Sequence, residues 1–110
     1  MQTVVELAEF LRRAKAIMTD DERIGIVNFL AANPEAGTAL GGGLRKVRTG
    51  REGGGKSGGF RTLYVFGGRR IPLFVVTVFA KNEKDNLSKA EQAAVVQLSK
   101  TLIATYGDKE

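Results

Sequence analysis

Residues 71–80, IPLFVVTVFA, constrain the fold of this chain more than any other stretch. Thr77 is the one polar side chain in the run, and the rest lacks the polar–apolar alternation of a strand with one wet face. Such a strand is buried on both sides and belongs in the interior of a sheet. Pro72 is tolerated because it stands at the start of the strand, where its missing donor is harmless. A fold for this chain must therefore supply a sheet with cover on its faces.

The flanking segments supply the parts. Residues 3–5 read as a short opening strand. Leu7, Phe10, Leu11, Ala14, Ile17 and Met18 then recur at helical spacing, with Arg12, Arg13 and Lys15 on the other side. Thr19 followed by Asp20, Asp21 and Glu22 marks a second helix start, with acids where the dipole favours them. That helix carries Ile24, Val27, Phe29 and Leu30 and stops at Asn33-Pro34. The short joint between the two helices predicts an antiparallel hairpin. After Gly41-Gly42-Gly43 the period becomes two. Residues 44–48 read as a strand that Thr49 can extend, and residues 60–66 as another closed by Gly67-Gly68. Ser88 and Glu91 form a capping box for a last helix whose apolar side is expected at Ala90, Ala93, Ala94, Leu98, Leu102 and Ile103. The expected order is β-α-α-β-β-β-α. This is an α+β domain, with the helical hairpin covering one face of a small antiparallel sheet and residues 1–110 forming one domain.

Residues 50–57, GREGGGKS, match the G-x-x-x-x-G-K-S pattern of a phosphate-cradling P-loop. A P-loop needs a helix immediately after it, with its N-terminus facing the anion. Here Gly58-Gly59 and then FRTLYVF follow, which is a poor helix and a good strand. The magnesium-binding Asp expected at the tip of an apolar strand is also missing, because the strong strand ends in Phe79-Ala80-Lys81. The segment is therefore expected to be a cationic loop of a β-hairpin.

Composition narrows the chemistry. The sequence contains neither Cys nor His, which removes thiolate chemistry, disulfides, and the commonest general base and metal ligand. No apolar run approaches the roughly 20 residues of a membrane span, and no signal peptide is evident, so the expected location is the cytoplasm with no membrane partner. The net charge of +5 is unevenly spread. Residues 1–40 hold four Lys/Arg against six Asp/Glu, residues 41–84 ten against two, and residues 85–110 three against four. A basic middle segment of this kind points to a polyanion, most plausibly nucleic acid.

Alternation places Lys46 and Arg48 on one face of their strand and Arg45 and Val47 on the other. Arg61 begins the next strand near them, Lys81 ends the third, Lys84 lies just beyond, and Arg51 and Lys56 sit on the loop. Three antiparallel strands can gather these cations at one edge of the sheet. With only Glu52 and Glu83 nearby, an anionic ligand is their natural partner.

The stretches NPEAG (33–37), GLRKVR (43–48), GKSGGFRTLYVF (55–66) and FAKNEKDNLS (79–88) resemble the HigB/RelE type of bacterial toxin. These are ribosome-dependent mRNA endonucleases of toxin–antitoxin pairs, and the resemblance runs over nearly the whole chain. It implies a basic concave face that receives mRNA in the ribosomal A site, with no cofactor and no metal. It also implies a cognate antitoxin of helix-turn-helix type that covers this face, so that operator DNA is met only through the antitoxin complex. By the same resemblance Lys46, Arg48, Arg61 and Lys81 are the cleavage residues, and Arg45, Arg51, Lys56 and Lys84 contact the nucleic acid.

The chemistry needs neither metal nor His. An RNA 2′-hydroxyl can attack the adjacent phosphate and expel the 5′ oxygen if the protein aligns the attack, takes a proton and stabilises the phosphate. A Lys crowded by cations is expected to lose its proton more readily and so serve as base. Lys46 is the first candidate, or Lys81 if the geometry reverses them, with Arg48 and Arg61 as phosphate clamps. Tyr64, on the face opposite Arg61, reads as core, and Tyr106 lies far along the last helix. Two other functions fit the same scaffold: a non-catalytic inhibitor like the ParE-type relatives that act on gyrase, and a nucleic-acid-binding module that does not cleave.

Overall fold

The computed structural model describes residues 1–50, 59–81, 83 and 86–107. In chain order the elements are β1 (Val4–Glu6), α1 (Ala8–Ile17), α2 (Asp20–Ala32), β2 (Thr38–Gly41), β3 (Leu44–Thr49), β4 (Phe60–Val65), β5 (Leu73–Ala80) and α3 (Lys89–Gly107). The five strands form one mixed sheet in the order β1-β5-β4-β3-β2. The α+β architecture follows the sequence expectation, with two differences in the sheet. The expected antiparallel pattern holds from β2 to β5, but β1 joins the sheet parallel to β5, with Val4 opposite Leu73. A three-residue edge strand carries no sequence signal for its direction, because alternation is the same either way.

The second difference is β2, which the sequence reading passed over as part of a Gly-rich connection. It pairs with β3 through the two-residue turn Gly42-Gly43, whose φ angles of +61° and +90° suit a type I′ hairpin. That backbone excludes side chains at little cost only when both residues are glycine. The segment before β2 also passes very close to β3. A Cβ on Gly37, at φ +77°, would stand 2.2 Å from the Lys46 carbonyl oxygen.

Both faces of the sheet are covered, which explains the apolar run in β5. On one face the α1–α2 hairpin packs Phe10, Ala14, Ile26 and Leu30 against Phe60, Tyr64, Val75 and Val78. The hairpin is set by a capping box in which Thr19 Oγ1 accepts from Glu22 N at 3.1 Å and Glu22 Oε1 accepts from Thr19 N at 2.8 Å. On the opposite face α3 packs Val95, Val96, Leu102 and Ile103 against Leu44, Leu63, Val65 and Phe74. The buried stripe of α3 is centred on Ser99, whose hydroxyl donates to Val95 O at 2.8 Å. Ala90, Ala93, Ala94 and Leu98, expected on the buried side, are exposed. The small, internally bonded Ser99 lets the helix approach closely, and its polarity concealed the true stripe.

Thr62 is fully buried in β4, and its hydroxyl has no hydrogen-bond partner. An unmet buried hydroxyl costs about 1–3 kcal/mol. Thr62→Val keeps the shape and removes the orphan, so it is expected to raise stability by about 1 kcal/mol. A urea midpoint at or below that of the wild type would contradict this.

Candidate nucleic-acid interface

β3 and β4 run antiparallel in a register that sets Arg48 directly opposite Arg61 and Lys46 opposite Leu63. On its other side Arg61 is opposite Phe79 of β5. Alternation places Lys46, Arg48, Arg61 and Phe79 on the face that carries α3. Lys81 continues the row, its amide donating to Gly59 O at 3.0 Å. α3, however, covers only the other half of this face. Its residues Val96, Lys100 and Ile103 crowd Gly42, Gly43 and Gly67, at the end of the sheet away from Arg48 and Lys81. Tyr106 is also at that far end, its ring 4.9 Å from Phe74. Toward the basic end Arg48 is exposed and Lys46 and Lys81 are half-buried, while Arg61 and Phe79 are buried.

Two guanidinium groups directly opposite on neighbouring strands, with Cα atoms about 5 Å apart, repel each other. They line a pocket of about 290 Å³ with Thr49 and Gly50. Arg61 is only 2% exposed, whereas Arg48 is exposed and Lys46 and Lys81 are half-buried. Arg61 is therefore held by its surroundings, whereas the Arg48 side chain reaches solvent.

The other expected residues divide into two groups. Arg45 lies on the opposite face, where its guanidinium donates to the carbonyls of Glu35 (2.7 Å), Gly37 (3.2 Å) and Ala36 (3.4 Å). It ties down the connection before β2 and is not brought to the cluster. Tyr64 helps it by donating to the same Ala36 carbonyl, and burial raises the pKa of its phenol. Arg51, Lys56 and Lys84 lie outside the described residues. The flanks of the GREGGGKS segment are described, and they pair Thr49 with Phe60, so the segment joins neighbouring antiparallel strands where a P-loop would start a helix. Phe79 is 4% exposed and belongs to the core of its face.

Asn86 is a neighbour of the cluster that the sequence did not disclose. Its side-chain oxygen accepts a hydrogen bond from Lys46 Nζ across 40 positions of sequence. No local pattern announces such a contact. Glu83 also behaves differently from expectation. It faces away from the cluster, where its carboxylate accepts from Ala80 N at 2.9 Å and from Arg13 at 2.5 Å. The Ala80 amide, helped by Arg13, holds the carboxyl below its ordinary value of 4.5 despite some desolvation. The pKa is lowered on folding, so this contribution to stability is present above the ordinary value and disappears as pH falls through the folded one. Wild type should therefore exceed Glu83→Gln in urea resistance at pH 7, and the gap should narrow as pH falls below the ordinary value of 4.5. A gap that persisted at pH 3 would show that charge at Glu83 is not involved.

A comparison with known families decides the broad class: residues 3–109 match the model of the RelE toxin of the RelE/RelB toxin–antitoxin system. The chain belongs to the RelE toxin family. As a RelE-family toxin it is one half of a toxin–antitoxin pair, and an antitoxin is its partner.

Proposed function

We propose that this RelE-family toxin is a ribosome-dependent mRNA endoribonuclease that halts translation. The observation that carries the reading is the pairing of Arg48 with Arg61 across β3 and β4, with Lys46 on the same face and Lys81 at the end of the neighbouring strand. Two neighbouring guanidiniums offer a phosphate paired, charge-assisted donors.

In this reading the RNA 2′-hydroxyl attacks the adjacent phosphorus, and Lys46, or Lys81 in the reverse arrangement, removes its proton. Arg61 and Arg48 hold the non-bridging oxygens and offset the negative charge that gathers on them in the transition state. The P–O5′ bond breaks, the leaving oxygen takes up a proton, and the products carry a 2′,3′-cyclic phosphate and a 5′-hydroxyl. The Asn86 contact steers the Lys46 ammonium in the free protein. No step requires a metal or cofactor. The reaction belongs in the cytoplasm, with mRNA presented in the ribosomal A site and the antitoxin masking the basic face between episodes. Induced expression should arrest growth, and mapping of mRNA 5′ ends should show cuts inside translated frames. Intact mRNA on ribosomes exposed to the pure protein would refute the reading.

A further inference from the structure

A second concavity adjoins the basic face. β2 covers the outer edge of β3 only as far as Lys46, and past that point α2 and the end of β3 enclose a groove of about 450 Å³. Its walls are Glu22, Gly25, Ile26 and Phe29 from one stripe of α2, and Arg48, Thr49 and Gly50 from the strand. Arg48 also lines the smaller pocket it shares with Arg61, so one side chain borders both spaces.

Three features of the groove lack a structural purpose. Phe29 is 41% exposed although a core position lies one residue away, at Leu30. Gly25 stands inside a helix, where Gly is unfavourable relative to Ala, yet a Cβ there would meet nothing within 4 Å. Packing therefore does not demand glycine, and its effect is to leave the groove open. The Thr49 hydroxyl is buried with no hydrogen-bond partner. An aromatic wall and an open slot next to Arg48 are what a flat heterocycle attached to a phosphate requires.

We propose that this groove is a nucleobase subsite, which takes the base of the nucleotide next to the phosphate held by Arg48 and Arg61. Phe29 stacks on the base. The inference rests on the nuclease reading for the identity of the strand, and it adds the place where sequence around the cut is sensed.

The test compares wild type, Phe29→Ala and Gly25→Leu. Leu at position 25 fills the slot and improves the helix, so its effect cannot be ascribed to unfolding. Cuts on translating ribosomes are mapped at single-nucleotide resolution. In parallel, binding is measured to a 2′-O-methyl RNA oligonucleotide, intact or with an abasic residue at each position in turn. One abasic position should weaken wild-type binding about five- to hundredfold. The same change should have little effect on either variant, and both variants should lose the base preference beside the cut while still cutting. Variants that cut with the wild-type preference and feel every abasic position as wild type does would overturn the subsite and leave the nuclease reading intact. Variants with unchanged cutting but weakened antitoxin binding would make the groove a protein-docking site and also overturn it. A wild type that cuts nothing would remove the nuclease reading itself.

Discussion

Arg61→Gln is expected to slow mRNA cleavage about 10²- to 10³-fold, the usual loss when one preorganised donor to a developing anion is removed. The guanidinium is 2% exposed and sits in a row with Arg48 and Phe79, so it is already in place before RNA arrives. Gln preserves much of the buried volume and a hydrogen-bonding end but has no charge, which makes it a better test than Ala at so enclosed a position. Arg61→Lys keeps the charge and loses the two-pronged geometry, so it should fall between the two. Mapping of cuts in a translation reaction, together with a cooperative melting curve for each variant, would read the effect. If Arg61→Gln cuts at the wild-type rate, Arg61 does not touch the reacting phosphate.

Gly37→Ala should produce the largest loss of stability among single-methyl additions. Two penalties combine: a left-handed backbone at φ +77° that costs a residue with a Cβ about 1–2 kcal/mol, and overpacking worth about 1–3 kcal/mol. The clash is with the Lys46 carbonyl at 2.2 Å and the Val47 Cα at 3.0 Å, so relief must come from moving the strand that carries Lys46 and Arg48. Cleavage should therefore drop even at temperatures where the protein stays folded. Gly25→Ala is the matched control. The same added methyl meets open space in a helical position and should stabilise by about 0.5–1 kcal/mol. Urea midpoints that shift in the same direction for the two variants would contradict this account.

The sequence was most informative where one physical requirement dominated. The uninterrupted apolar run of β5 demanded cover on both faces, and the two helical layers provide it. Ser88-x-x-Glu91 forms the reciprocal bonds its spacing announced, and Thr19, read only as a helix start, forms the same pair with Glu22. Alternation placed Lys46 and Arg48 on one face because β3 has no bulge between them. The same rule set Arg45 on the opposite face, where it serves the backbone of residues 35–37.

What escaped the sequence depends on contacts between distant segments. β2 is four residues long and mostly exposed, so it lacks the apolar signature of a strand, although Gly-Gly between short segments is a hairpin signal. The buried side of α3 was misjudged because Ala is at home on either side of a helix, whereas Ser99 looked like a surface residue. Asn86 and the α2 groove are juxtapositions of chain segments, and no local pattern encodes them.

The edge of the sheet beyond β1 bears on how the protein behaves when its antitoxin is gone. β1 shields β5 only through Val75, and an uncovered strand of Val and Phe residues invites other chains to add to it. Here the outward groups are already engaged: Val78 O accepts from Arg13 at 3.3 Å, and Glu83 bonds both the amide and the carbonyl of Ala80. A second copy would have to break these bonds and strand two opposite charges before it could extend the sheet. The free toxin is thus protected against self-assembly by two side chains that lie outside the row of expected cleavage residues, and acid conditions that neutralise Glu83 should be where that protection first fails.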